Sequence, residues 1–349
     1  MIADDLAGKR IAVTGSTGFL GTALVERLLR SVPDCELVLL IRAGRMRNVQ
    51  QRAAREIFKN NCFDRLRDQL GGKDAFDAEV ARVQVIEGDV GTDGLGLTAE
   101  RWELLAGCYI VIHSAATVSF DSPLDLAVEV NLMGPTRIAR TLADLDVTPH
   151  LVAVSTCYVA GNRRGAAPEI QVDHSPFWIA DINWQREVDG ARRLRADAEA
   201  ASRKPDQLAR FMDQAREELG GAGTPLLAAK AEQHRADWVK AQLVDAGRAR
   251  AASLGWPDAY AMTKALGEQA LGQNRGAVPV SIVRPAIIES AWAEPVPGWI
   301  RGFRMAEPVI ISYARGLLTE FPGVPEGTVD VIPVDLVVGA IIGVAARGP

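Results

Sequence analysis

Five short apolar runs constrain this chain more than any other feature: RIAVTG (10–15), ELVLLIR (36–42), VQVIEGDV (83–90), YIVIHSAA (109–116) and HLVAVST (150–156). A strand that is apolar at successive positions is buried on both faces, which a parallel sheet between two layers of helices permits. The stretches between these runs read as helices. Leu20, Leu24, Leu28 and Leu29 form one apolar stripe after the first run, a charged helix is expected at about 47–70, and another around 124–145. The pattern resumes with a helix at 258–274, the strand VSIVRP (280–285) and the apolar stretch VDLVVGAIIGVAARGP, read as a buried terminal helix. The expected fold class is α/β, a doubly wound parallel sheet.

Residues 181–256 interrupt this alternation. They are rich in Arg, Asp, Glu and Ala, with helical patches such as DQLARFMDQAREEL, and read either as an insertion of solvated helices or as a lid or docking surface. The expected organisation is a first dinucleotide-binding part (1–180), the insertion (181–256), a return to the main domain (257–290) and a substrate-side cap with the terminal helix (291–349). The chain stops just after that apolar helix, and a further domain is expected beyond it.

A net charge of −5 over 349 residues provides no general attraction to nucleic acid or anionic lipid. Cys35, Cys62, Cys108 and Cys157 show no framework spacing, and the four histidines form no ligand pair. A reduced cytoplasmic setting without a metal is therefore expected. The N-terminus lacks the apolar run of a secretory signal, and no segment reaches the ~18–20 apolar residues of a membrane span.

TGSTGFLG (14–21) lies between the first strand and the first helix, with Gly15, Gly18 and Gly21 spaced by three. A diphosphate can approach such a turn only where no Cβ intervenes, and the helix N-terminus then presents N–H groups and the positive end of its dipole. Thr14, Gly15, Ser16, Thr17, Gly18, Phe19, Leu20 and Gly21 are thus candidate dinucleotide contacts. The second strand ends in LIRAGR, with no acidic residue to receive a ribose 2′-hydroxyl; Arg42, assisted by Arg45, would pair with a 2′-phosphate, which points to NADPH. Asp89 and Val90 are placed to contact the adenine, and Ser114, Ala115 and Ala116 supply small residues where the cofactor crosses the sheet edge.

Ser155 and Thr156 close the fifth strand, in the crevice where open parallel sheets bind ligands. Asn131 stands inside a helix, where Asn is not favoured. Tyr260 is the only tyrosine with a lysine, Lys264, four residues on, and this spacing puts both on one helix face. TGxxGxxG, the helical Asn, the Ser/Thr after the fifth strand and YxxxK resemble the extended short-chain dehydrogenase/reductases, which carry a Rossmann domain. TGSTGFLG, NCFDRLRDQL, HSAATVSFD, VSTCYVAG, YAMTKALGE and SIVRPAIIES more particularly resemble the fatty acyl-CoA reductase family, with several strings shared by the reductase domains of carboxylic acid reductases. The long insertion before YxxxK and the absence of the usual C-terminal domain depart from that family.

The resemblance implies roles. Tyr260 would protonate the carbonyl oxygen, Lys264 would lower the tyrosine pKa and hold the nicotinamide ribose, Thr156 would stabilise the oxyanion, and Asn131 would orient a relay water. Pro285 and Ile287 would wall in the nicotinamide. Trp292, Trp299, Phe303 and Met305 would suit an acyl tunnel or an interfacial surface, or form the core of a small cap. Arg301, Arg304 or the arginines of 186–250 would meet coenzyme A phosphates. The implied activity is NADPH-dependent reduction of a fatty acyl-CoA to aldehyde or alcohol, with peripheral membrane contact. Reductive release from a carrier protein, a sugar-nucleotide or steroid dehydrogenase, and a non-catalytic NADP(H)-sensing module are the alternatives.

Overall fold

The computed structural model describes all residues except 1, 45, 120, 164, 176–177, 179–181, 222, 303–306 and 321–328. Six parallel strands form the main sheet: β1 (Arg10–Thr14), β2 (Glu36–Ile41), β3 (Val83–Glu87), β4 (Ile110–His113), β5 (His150–Val154) and β6 (Val280–Val283), in the order β3-β2-β1-β4-β5-β6. Their alternation explains why the runs are apolar throughout. Ile11, Val13, Leu37, Leu39, Ile110, Ile112, Val152 and Val154 face one core, whereas Ala12, Val38, Leu40, Val111, Leu151 and Ala153 face the other. Each fully buried Leu, Ile or Val contributes ~1.5–3 kcal/mol, so neither face tolerates a polar register.

The helices in chain order are α1 (Ile2–Leu6), α2 (Phe19–Ser31), α3 (Val49–Ala53), α4 (Asp64–Leu70), α5 (Lys73–Val80), α6 (Ala99–Ala106), α7 (Leu124–Ala127), α8 (Met133–Asp144), α9 (Trp184–Ser202), α10 (Pro205–Leu219), α11 (Thr224–Ser253), α12 (Ala259–Asn274), α13 (Glu307–Ala314) and α14 (Val334–Arg347). Helices α2 and α14 cover the first face through residues such as Leu24, Leu28, Val337 and Ile341. Ile138 and Leu142 of α8 and Leu271 of α12 cover the second. A separate parallel pair, β7 (Ile287–Glu289) and β8 (Val331–Pro333), follows the main sheet.

Three expected boundaries differ from those observed. The 47–70 helix is broken into α3, a π turn (Ala54–Phe58), a 3₁₀ turn (Asn61–Phe63) and α4, because the Asn60 side chain accepts the Cys62 N–H and starts a new turn. The 124–145 helix is widened by a π turn at Val128–Leu132, between α7 and α8. The third strand stops at Glu87: the Asp89 carboxylate accepts the Gly91 N–H at 2.8 Å and turns the chain away. The 181–256 segment forms α9, α10 and α11, with α9 started by Asn183 accepting the Arg186 N–H. Among the described residues no helix is long and apolar enough to cross a membrane.

Candidate active site

Strand order reverses between β1 and β4, so the two chains leave the sheet in opposite directions and open a crevice at their carboxyl ends. The exits are stapled together. Ser114 Oγ donates to the Thr14 carbonyl at 2.8 Å, the Ala115 N–H donates to Thr14 Oγ1 at 3.3 Å, and Thr14 Oγ1 lies 2.8 Å from His113 Nδ1. Burial pushes the His113 pKa down to about 3, so this ring is neutral.

The glycine turn is built for close approach. Gly15 has φ +76°, and a Cβ there would lie 2.6 Å from Ala115 N and from Ser114 C. A Cβ on Gly21 would lie 2.2 Å from the Gly15 carbonyl oxygen. Gly18 caps α2 without any side-chain hydrogen bond, and the buried Ser16 hydroxyl has no partner among the described residues. This cradle, with its uncapped helix N-terminus and a spare hydroxyl, fits a dinucleotide diphosphate.

Other expected cofactor contacts distribute around the crevice. Arg42 is exposed at the tip of β2, its carbonyl held by Arg52 Nη1 at 2.5 Å; Arg45 lies outside the described residues. Val90 is buried after β3, with Asp89 and Ala116 half-buried at the same carboxyl edge. Phe19 packs against Trp299 with ring centroids 5.3 Å apart, and Leu20 is half-buried behind it. Thr17 is half-buried in the turn.

The second half of the site joins the exit of β5 to α12. Thr156 continues in extended backbone and accepts the Tyr158 N–H at 3.3 Å, while its hydroxyl lies 3.5 Å from the Pro285 carbonyl. The Cys157 N–H donates to the same carbonyl at 3.0 Å, which fixes Pro285 beside Thr156. Asp258 caps α12 by accepting the Ala261 N–H at 2.8 Å, and this sets Tyr260 in the first turn with Lys264 one turn behind. The Tyr260 hydroxyl is hydrogen-bonded to the Thr156 side chain. The buried Lys264 ammonium donates to the Val154 carbonyl at 2.8 Å. Ser155 is buried, its hydroxyl without a partner among the described residues, and Ile287 is half-buried in β7.

The electrostatics correct one expectation. Burial pushes the Tyr260 pKa up to about 12, opposed by its hydrogen bond to Thr156, rather than down. The Lys264 ammonium is engaged by Val154 instead of neutralising the phenol. Burial lowers the Lys264 pKa to about 8, opposed by the Glu268 carboxylate.

The Asn131 side chain is held by three hydrogen bonds. Its Oδ1 accepts the Thr117 N–H at 2.9 Å, and its Nδ2 donates to the Thr117 carbonyl at 3.0 Å and to Thr263 Oγ1 at 3.3 Å. The side chain clamps the β4 exit to α12. Thr263 and Gly267 were not singled out from the sequence, yet a Cβ on Gly267 would lie 2.5 Å from the Asn131 carbonyl oxygen. The signal available was the small residue one turn beyond Lys264.

The aromatic residues of the cap separate. Trp299 is 4 % exposed, and its Nε1 donates to Asn61 Oδ1 at 3.0 Å, so it belongs to the core beside the glycine turn and not to a tunnel wall. Trp292 is 77 % exposed, its backbone N–H held by Asp335. Phe303, Arg304 and Met305 lie outside the described residues. Arg301 sits against α2, its guanidinium 2.5 Å from Thr22 Oγ1 and 3.5 Å from the Gly18 carbonyl, rather than on an open surface.

A glycine cradle at the sheet's switch point, beside a Thr–Tyr–Lys set, is an arrangement able to hold a nicotinamide dinucleotide and to give a proton to a carbonyl oxygen. The male sterility protein profile matches residues 13–341, nearly the whole chain. The chain belongs to the male sterility protein family. This member is 33 % identical over 345 residues to fatty acyl-CoA reductase 2, chloroplastic, of Arabidopsis thaliana, covering 98 % of this chain and 52 % of that protein. It is 30 % identical over 347 residues to the alcohol-forming fatty acyl-CoA reductase of Simmondsia chinensis, covering 98 % of this chain and 64 % of that protein. The male sterility family member therefore spans between about half and two thirds of these relatives' length. Its fold is similar to that of the terminal R domain from the myxalamid PKS-NRPS biosynthetic pathway, with a TM-score of 0.56 at 19 % identity over 96 % of this chain and 61 % of that one.

Proposed function

We propose that this protein reduces long-chain fatty acyl-CoA thioesters with NADPH, forming the aldehyde or the alcohol. The carrying observation is the Tyr260 phenol hydrogen-bonded to Thr156, with the Lys264 ammonium buried one turn behind it. Residues 14–21 would hold the diphosphate, Arg42 and Arg45 the 2′-phosphate, Asp89 and Val90 the adenine, Ser114–Ala116 the cofactor where it crosses the sheet edge, and Pro285 and Ile287 the nicotinamide. When bound, NADPH supplies the hydride.

The chain's own groups manage charge. Thr156 and Tyr260 meet the oxygen of the thioester carbonyl, and an oxyanion donor of this kind is worth ~3–4 kcal/mol. With its pKa near 12, Tyr260 stays protonated at neutral pH and transfers its proton as negative charge develops on that oxygen. The buried Lys264 ammonium, held by the Val154 carbonyl, would also donate to the hydroxyls of the nicotinamide ribose. Loss of the thiol from the hemithioacetal then leaves the aldehyde, which the same residues can receive for a second reduction. The four free cysteines suit a reducing cytoplasmic setting, and the exposed Trp292 would contribute to acyl-chain entry or peripheral membrane contact.

The test follows NADPH oxidation with palmitoyl-CoA and with a carrier-bound palmitoyl thioester, with products extracted and separated. Aldehyde or alcohol from palmitoyl-CoA supports the reading. Products from the carrier-bound substrate alone would replace coenzyme A by a carrier, and NADPH binding without product from either would remove the reductase assignment. Arg42→Ala is expected to raise the NADPH KM by about 10–100-fold, the effect of losing a charge-assisted pair, with the NADH KM nearly unchanged. Equal changes for both cofactors would exclude Arg42 from the 2′-phosphate. The logarithm of kcat/KM is expected to be flat below pH 8 and to fall as the pH rises through about 8, where Lys264 loses its proton. A profile still flat at pH 9.5 would separate Lys264's charge from catalysis.

A further inference from the structure

On the reading of the chain as a nicotinamide-dependent reductase, we infer that Arg137 is a positioning residue that sets both walls of the cofactor crevice through a single buried guanidinium. Arg137 lies on α8, about two turns beyond Glu129 of the π turn, and is 5 % exposed. A guanidinium keeps its charge at any pH a protein meets, so its burial requires anionic or carbonyl partners on every side. It has them on two different segments. Nε donates to Asp93 Oδ1 at 2.6 Å and Nη1 lies 3.5 Å from the Val90 carbonyl, both in the segment that follows β3. Nη1 also donates to the Glu129 carbonyl at 2.8 Å, and Nη2 donates to the Glu129 carboxylate, both on the π turn.

Each segment leads to a wall of the crevice. On one side Val90 is held against α8, where the missing Cβ of Gly134 would stand only 3.4 Å from Val90 Cγ2. On the other side the π turn carries Asn131 two residues beyond Glu129, and Asn131 grips Thr117 through both its backbone N–H and its carbonyl. The setting of the π turn is thereby passed to residues 114–117, opposite the glycine cradle. Asp93 is 90 % exposed and Glu129 also receives Arg192 of α9 at 2.7 Å, so the buried arginine joins two carboxylates that lie nearer the surface. A lysine at this position would keep the charge but lacks the planar fork needed to reach Asp93, Val90 and Glu129 together.

Arg137→Lys separates positioning from stability. The experiment measures NADPH dissociation by fluorescence titration, kcat and acyl-thioester KM, and the melting temperature, for the whole chain and for Arg137→Lys and Asp93→Asn. Because the Asp93 side chain is 90 % exposed, Asp93→Asn is expected to retain the fold, which the melting temperature checks. Folded Arg137→Lys is expected to bind NADPH about 10-fold more weakly and Asp93→Asn about 3-fold more weakly, with acyl-thioester KM within about 2-fold of the parent. Unchanged NADPH affinity in both variants, with or without a lower melting temperature, would make Arg137 a purely structural residue and overturn the inference. A parent chain with no NADPH affinity would instead overturn the cofactor reading and the inference with it. If Arg137→Lys does not fold, Asp93→Asn decides alone.

Discussion

Tyr260→Phe is expected to lower kcat for acyl-thioester reduction by about 10²–10⁴-fold, the range spanned by a positioned general acid. Phenylalanine keeps the ring and removes only the hydroxyl that hydrogen-bonds Thr156. The Asp258 cap that starts α12 and the Lys264 contact with Val154 do not depend on that hydroxyl, so the backbone geometry persists. NADPH affinity and melting temperature are accordingly expected to stay near the parent values, which assigns the loss to the chemical step. Single-turnover rates at saturating NADPH provide the check. A Tyr260→Phe variant turning over within a few-fold of the parent would place the proton donor elsewhere. Thr156→Val is the natural companion, since it leaves the phenol without its partner and the developing oxyanion without a donor.

Gly21→Ala is expected to abolish cofactor binding, weakening NADPH by more than about 100-fold, and to lower stability by ~1–3 kcal/mol, the usual penalty of overpacking. The added methyl would stand 2.2 Å from the Gly15 carbonyl oxygen and 2.7 Å from both Gly15 C and Ser16 Cα. All three are backbone atoms, so no side-chain rotation relieves the contact. The turn must move outward, and with it goes the cradle formed by Gly15 and the start of α2. Gly15→Ala acts by a second route, because φ +76° is unfavourable for any residue with a Cβ and the methyl would also meet the β4 exit. Calorimetry with NADPH, together with thermal melting, separates the two losses. Parent-like affinity in Gly21→Ala would show that the turn has slack and that the diphosphate does not depend on it.

The glycine cradle was legible because its requirement is local: three glycines at fixed spacing between an apolar strand and an amphipathic helix. The Thr–Tyr association was legible only through resemblance, since Thr156 and Tyr260 are separated by the whole helical insertion. The direction of the tyrosine pKa differs from the expected one for a physical reason. Four-residue spacing places Lys264 on the same helix face, but whether its ammonium meets the phenol or a carbonyl depends on where β5 ends, and Val154 takes it. Trp299 reads as core from residue type and as tunnel wall from the resemblance, and Asn61 and Phe19 beside it place it in the core. Asn131 reads as an unfavourable helix residue, and its clamp on Thr117 requires a π turn that no local periodicity announces.

The sequence by itself determined the parallel layered sheet and the phosphate-binding turn, because strand burial on two faces and the exclusion of Cβ atoms are short-range demands on residue type. The tertiary structure alone decided which polar groups pair in the interior: Lys264 with Val154, Asn131 with Thr117 and Thr263, and Arg137 with Asp93 and Glu129. A buried charge or amide must be satisfied by whatever donor or acceptor the packing brings to it, and many of those partners lie on other elements, distant in the chain.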